Sequence, residues 1–349
     1  INRVIGIAVK SVLVSVASVA LWIKTNQQGC KRYTLPKRLH YTPQIPLHFD
    51  NNLKEIDGYK LSGDLTIYNS NNQYSYDVEV FYKKEEKYRV NLLNTSNNHE
   101  QIILKNDKEV YVVTPSLNKS FKFQSNWPND SSQVYLISSL YNDIYNCKER
   151  VFEVIDDGYR FKVDANYPNN NNLVKQIIVF DKDLNLKTVD IYNENDELQM
   201  SMVFNGIEIN ELIDDNVFDL ESIISGTNVT KDENVTSIDD IIYPLYIPSG
   251  TVLTDEEKVS KGDGERVILT FEGEKPFILV EETLSVEDDF SVVPMYGEPY
   301  LLFNTIASLS NNSISWINDG IEYYLVSDVM SQIELIEIAN SITIIDGNK

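Results

Sequence analysis

From Tyr74 to Tyr82 the chain alternates. Tyr74, Tyr76, Val78, Val80 and Tyr82 fall on one parity, and Ser75, Asp77 and Glu79 on the other. A period of two with one apolar side predicts an antiparallel strand with one buried face. Residues 87–93 repeat the pattern through Tyr88, Val90 and Leu92. Residues 101–105 and 109–114 follow, with Asn106-Asp107 as a hairpin turn. The spacing predicts further strands at 159–164, 174–181, 186–193 and 198–210, separated by turn-rich runs at 168–172, 181–185 and 193–196. The sum is an antiparallel meander over 59–210.

Helical spacing is sparse. Residues 48–59 read as a short helix closed by Gly58. The clearer case begins in the run TPSLNKSFKFQSNWPND, where Leu117, Phe121 and Phe123 alternate with Asn118, Ser120, Lys122 and Gln124. Trp127-Pro128 then makes a corner, and Asp130 or Ser131 is placed to cap a helix. Its apolar face is Val134, Ile137, Leu140, Tyr141 and Ile144. A helix inserted in an antiparallel meander must lay that face on the sheet, so it folds back as a lid over an apolar interior. Two readings of that interior stand side by side. It is a packed core, or it is a cavity that accepts acyl chains or a partner's hydrophobic segment. The residues that would line the cavity are Tyr76, Val78, Val80, Tyr82, Phe121, Phe123, Trp127 and Leu140.

A polar, aperiodic stretch at 223–240 reads as a linker to a second, smaller α+β domain at 241–349. Strands are expected there at 266–271 and 276–282, then a hairpin over 313–327 turning at Asn318-Asp319-Gly320. A helix is expected over 327–342, capped by Ser327 or Asp328.

Charge changes the picture at the other end. The formal net charge is -23, yet residues 1–46 hold seven Lys and Arg and no acid. The acidic body excludes nucleic acid as a partner, because phosphates would be repelled. The basic leader contains VIGIAVKSVLVSVASVALWI at 4–23, broken only by Lys10 and long enough to reach across a bilayer. Residues 1–30 are therefore expected to be a signal or membrane-anchor segment, and 31–50, with Pro36, Pro43 and Pro46, a linker. More basic residues follow the apolar run than precede it, which favours an internal body, whereas the signal-like composition favours an external one. Cys30 follows the run and is a lipidation candidate or an ordinary linker thiol.

Catalytic hardware is absent from the pattern. The histidines are His40, His48 and His99, in contexts that support neither a Ser-His-Asp nor a Cys-His arrangement. There is no phosphate-binding glycine loop, no His-Glu-x-x-His and no Cys-x-x-Cys, so neither a cofactor nor a metal is expected. The carboxylate pairs Asp156-Asp157 and Asp214-Asp215 read as solvated turns in a chain with 53 acids. No enzyme activity is expected.

The stretch GYKLSGDLTIYN…YSYDVEVFYKKEEKYRVNLL…QIILKNDKEVYVVTPSLNKSFKFQSNWPNDSSQVYL resembles the LolA-like proteins of spore-forming bacteria. These are membrane-anchored sporulation and germination lipoproteins related to LolA, LolB and RseB. The likeness spans about 51–222, with Thr114-Pro115, Asn118-Lys119-Ser120-Phe121 and Trp127-Pro128 as its sharpest parts; Asp214, Asp215, Val217 and Phe218 close it. The resemblance implies an α+β fold: an incomplete antiparallel β-barrel, a half-barrel, plugged by helices. It implies no catalytic residues. It implies an extracytoplasmic place at the cell membrane, including the forespore or spore envelope. The implied partner is a protein, a cell-wall amidase of the spore cortex among the options, or else the acyl chains of a lipid or lipoprotein. Residues 241–349, through Trp316, Gly320, Tyr323, Ile333, Ile336 and Ala339, are similar to a small C-terminal domain of unknown function in sporulation and anti-sigma-type membrane proteins.

Overall fold

The computed structural model describes residues 56–69, 72–107, 109–210, 212–226, 235–262, 264–284 and 290–342. The expected anchor at 1–30, the linker at 31–50 and Cys30 lie outside the described residues. Among the described residues no helix is long and apolar enough to cross a membrane.

The chain is mostly β. It lays down β1 (Gly58–Asn69), β2 (Asn72–Lys83), β3 (Lys87–Asn94), β4 (Glu100–Asn106), β5 (Glu109–Thr114) and β6 (Lys119–Phe123), then the helix α1 (Ile137–Asn146). There follow β7 (Val151–Ile155), β8 (Gly158–Asp164), β9 (Leu173–Asp181), β10 (Leu186–Asn193), β11 (Leu198–Ile209) and the short helix α2 (Leu220–Gly226). The remainder is β12 (Thr251–Lys261), β13 (Gly264–Gly273), β14 (Phe277–Thr283), β15 (Ser291–Met295), β16 (Glu298–Leu301), β17 (Ile306–Leu309), β18 (Ser313–Asn318), β19 (Ile321–Val326) and α3 (Gln332–Ser341).

Two open sheets result. The first has twelve strands in the order β15-β6-β5-β4-β3-β2-β1-β11-β10-β9-β8-β7, and its ends do not meet. The second has seven, in the order β12-β13-β14-β19-β18-β17-β16. The alternation seen in the sequence sets which face is buried: Leu61, Leu65, Val78, Val80, Val90, Leu92, Phe161, Phe180, Val189 and Met202 all enter one core. α1 supplies Ile137, Leu140 and Ile144 to the same core. The opposite face is covered near β4 and β5 by Phe218 and Ile223, the latter from α2. In the second sheet, Leu279, Ile314, Trp316, Tyr323 and Leu325 pack on Leu335, Ile336 and Ile338 of α3.

Several elements depart from the pattern. Of the expected helix at 48–59, residues 48–55 lie outside the described residues, and Gly58 and Tyr59 belong to β1. α1 starts at Ile137, not beside Asp130 or Ser131, and no side chain caps it. Residues 131–136 are drawn elsewhere: Ser132 N donates to Asn166 O (2.7 Å) and Asn166 N donates to the Ser132 hydroxyl (2.9 Å). α3 is capped by Ser331 with Glu334 in a reciprocal box, while the Ser327 hydroxyl donates to Pro276 O (2.7 Å) and accepts from Val329 N and Met330 N (3.3 Å each) in a turn ahead of the helix. The turn at Asn318-Asp319-Gly320 stands as expected, with positive φ at Asp319 (47°) and Gly320 (76°).

The largest departure is β15. It lies between β14 and β16 in sequence, yet pairs in parallel with β6 at the edge of the first sheet. Residues 298–306 follow it onto the apolar face of that sheet. Gln101 Oε1 accepts from Ile306 N (2.7 Å) and from the Thr305 hydroxyl (3.1 Å), both buried. The Tyr76 hydroxyl donates to Phe303 O (2.9 Å), and the Tyr74 and Phe303 rings stack at 5.3 Å.

Gln101→Leu leaves the Ile306 N–H buried and unpaired. It should cost about 1–3 kcal/mol in urea unfolding, with faster hydrogen exchange at Ile306 before any change in β8–β10.

Glu281, on β14, is 1 % exposed and accepts from Ile242 N at 3.0 Å, while its second oxygen has no partner. Burial pushes its carboxyl up to about 7; the Ile242 N–H opposes this and the Glu256 charge adds to it. With the folded value above the unfolded one near 4.5, the stabilising contribution is full below about pH 4.5 and lost as pH rises through about 7. Glu281→Gln should therefore gain stability relative to wild type on going from pH 5 to pH 8, by on the order of 2 kcal/mol. Urea titrations of both proteins at the two pH values check this.

Candidate functional site

The run from β6 into α1 builds the centre of the first sheet's apolar face. β6 brings Phe123 inward, where it is buried. Trp127-Pro128 is a cis peptide. The Trp127 N–H donates to the Ser125 hydroxyl at 2.9 Å, and that hydroxyl in turn donates to Glu298, the first residue of β16. Trp127 ends a line of aromatic rings across β1, β2 and β3: Tyr59 to Tyr82 at 5.0 Å, Tyr82 to Tyr88 at 5.0 Å, and Tyr88 edge-on to Trp127 at 6.0 Å.

Polar ties hold the lid down. Asp143 of α1 accepts from the Ser132 hydroxyl (2.8 Å) and from Gln176 Nε2 (2.6 Å). Gln176 stands on the core face of β9 and is fully buried. Burial raises the Asp143 carboxyl above its ordinary value, and its Gln176 and Ser132 hydrogen bonds hold it partly down. Cys147, the buried thiol at the end of α1, points to Asp164 at 3.5 Å.

The eight residues expected to line a cavity fall as follows. Tyr76, Val78, Val80, Phe123, Trp127 and Leu140 are buried members of one packed cluster, and Tyr82 and Phe121 pack against it half-buried. Phe121 and Phe123 border a void of only about 20 Å³, shared with Met295 and Trp316. Open space lies to one side, where the 127–135 turn, the 167–169 loop and β16 meet. That cavity holds about 200 Å³, and of the eight only Trp127 lines it. Its other walls include Tyr135, Tyr167, Met200, Tyr300 and Leu301. The Tyr300 hydroxyl accepts from Asn170 Nδ2 at 3.1 Å, and burial pushes it up to about 12. The residues that sequence reasoning missed are those of 298–303. Their signal was the apolar run Tyr300-Leu301-Leu302-Phe303, which has no parity and is too short to name an element.

A second cavity, of about 460 Å³, lies between β15 and the outer face of the second sheet. Its lining is mixed, with Ile268, Val280 and Met295 beside charged groups: Arg266 Nε donates to Glu282 at 2.6 Å, Lys261 also pairs with Glu282, and Glu322 lies across the strand pair from Glu282. Burial, then the Glu282 charge, raises the Glu322 carboxyl. Among the described residues no group of three His, Cys, Asp or Glu side chains converges as metal ligands would.

These features define a mostly β protein with large open sheets and a lidded apolar face. The chain belongs to the sporulation protein YdcC-like family, whose model matches residues 46–218. It is 37% identical over 295 residues to sporulation protein YdcC of Bacillus subtilis (strain 168), covering 84% of this chain and 87% of that protein. Solved structures to which it is similar include a chain of the Pseudomonas aeruginosa MucA/MucB complex, 14% identical with a TM-score of 0.31, covering 86% of this chain and 98% of that one. Another comes from the CwlD amidase of Clostridioides difficile in complex with the GerS lipoprotein, 12% identical with a TM-score of 0.27, covering 52% of this chain and 99% of that one. A third is a LolA superfamily protein of Nitrosomonas europaea, 12% identical with a TM-score of 0.28, covering 52% and 99%.

Phe123 is 2 % exposed. Phe123→Ala should therefore cost about 3–5 kcal/mol in equilibrium unfolding, as for a packed aromatic; a wall of an open cavity would give up far less.

Proposed function

We propose that this protein is a membrane-tethered, extracytoplasmic, non-enzymatic binding protein of sporulation or germination that acts through a protein partner. In this reading residues 51–222 form a half-barrel plugged by α1. Residues 241–349 form a second unit docked on its concave side, and the N-terminal segment tethers both to the membrane.

One observation carries the choice of a protein over an acyl chain. The apolar face of the first sheet is covered by α1, by its own packed side chains and by residues 298–306, leaving about 200 Å³ where the 127–135 turn meets β16. That is below the roughly 300–1,000 Å³ of pockets that engulf a small ligand. A carrier for whole acyl chains needs a longer apolar tunnel than this. A junction with a part-filled cleft suits a side chain of a larger partner, which brings its own surface for the rest of the interface.

A photo-crosslinking residue in place of Pro299, at the lip of the cavity, tests the reading in sporulating cells. The expected product is a discrete protein adduct that a control at the exposed Asn195 does not give. Lipid adducts at Pro299, found by mass spectrometry, would turn the reading to the carrier. No adduct at all would remove the site.

A further inference from the structure

The cavity at the junction has an inventory that a merely apolar anchor does not need. Four aromatic side chains face it, Trp127, Tyr135, Tyr167 and Tyr300, together with two carboxylates, Asp130 and Glu298. No lysine, arginine or histidine is among the residues that line it. Burial raises the Glu298 carboxyl; the Ser125 hydroxyl lowers it, and the Asp130 charge adds to the rise. Glu298 thus sits part-buried beside a like charge.

Each of these features is relieved by the same guest. Aromatic faces attract a cation, and the attraction grows when water is excluded. Two neighbouring carboxylates repel each other until a positive group sits between them. A guanidinium meets both needs, being planar, weakly hydrated, rich in donors and apt to stack on rings. At about 200 Å³ the space exceeds the ~150 Å³ of a cavity that admits benzene, enough for a guanidinium and part of its stem.

We propose that this cavity is the receptor for an arginine side chain presented by the protein partner, with the guanidinium against the aromatic walls and charge-paired to Glu298 and Asp130. The inference rests on the partner-binding reading and names the chemistry of its anchor.

The test uses the full-length chain and three small probes, N-acetyl-arginine methylamide and its lysine and citrulline counterparts, followed at the Trp127 indole N–H by NMR. The arginine probe should shift that resonance in a saturable way. The neutral citrulline probe, of nearly the same shape, should bind at least about tenfold more weakly. Glu298→Gln should cost the arginine probe about tenfold and leave the citrulline probe unchanged. Equal binding of arginine and citrulline, equal binding of arginine and lysine, or no shift at Trp127 overturns the inference. The cross-link at Pro299 is independent. A protein adduct there with no arginine binding sinks this inference and spares the partner reading; arginine binding with no protein adduct removes the partner that would present the side chain, and both readings with it.

Discussion

An apolar face spread over one wide sheet must be covered, and the whole architecture answers to that. Twelve strands at about 4.8 Å spacing span roughly 55 Å. α1, with ten residues, is only about 15 Å long. A single short helix cannot shield such a face from water, even if the sheet curves around it. The missing cover is residues 298–306. They bring Ile306 into the core and rest Leu301 and Phe303 on it. Burial at about 25 cal/mol per Å² drives this docking, and Gln101 fixes its register, because a buried amide oxygen left unpaired would cost more than the bond returns.

The same docking manages the sheet's edge. Ser291 N donates to Asn118 O, so alternate residues of β15 aim their backbone groups at β6 and the others aim outward. Pro294 occupies an outward position and has no N–H to offer. An edge strand is thereby added and blunted in one step. The opposite edge, β7, has no proline; it is only five residues long and leaves Val151 and Val154 at 47 % and 58 % exposure. Between the edges, the docked segment stops short of the 127–135 turn, and the cavity at that gap is a consequence of incomplete cover. Its aromatic and acidic walls come from parts of the chain about 170 residues apart, as Asp130 and Glu298 illustrate.

Much of this was legible residue by residue. The alternation Tyr76, Val78, Val80 is local, and in a sheet with one buried face it fixes a strand and its orientation. The strands expected at 186–193 and 198–210 occur at Leu186–Asn193 and Leu198–Ile209. The turn at Asp319-Gly320 was legible because positive φ selects those residue types. By contrast β12, from Thr251 to Lys261, was invisible: after Thr251 every residue is exposed, so no parity is imposed on it. β17 was invisible for the opposite reason, since Ile306–Leu309 is buried at every residue and carries no alternation.

Local sequence thus settled which faces are apolar, where turns fall, and that Trp127-Pro128 breaks a strand before a helix, because each depends on neighbours within a few residues. It did not settle what covers the apolar face or where space is left, because those depend on partners such as Gln101 and Ile306, 205 positions apart. Covering one surface with another is a matter of area and shape in three dimensions, and no period along the chain encodes it.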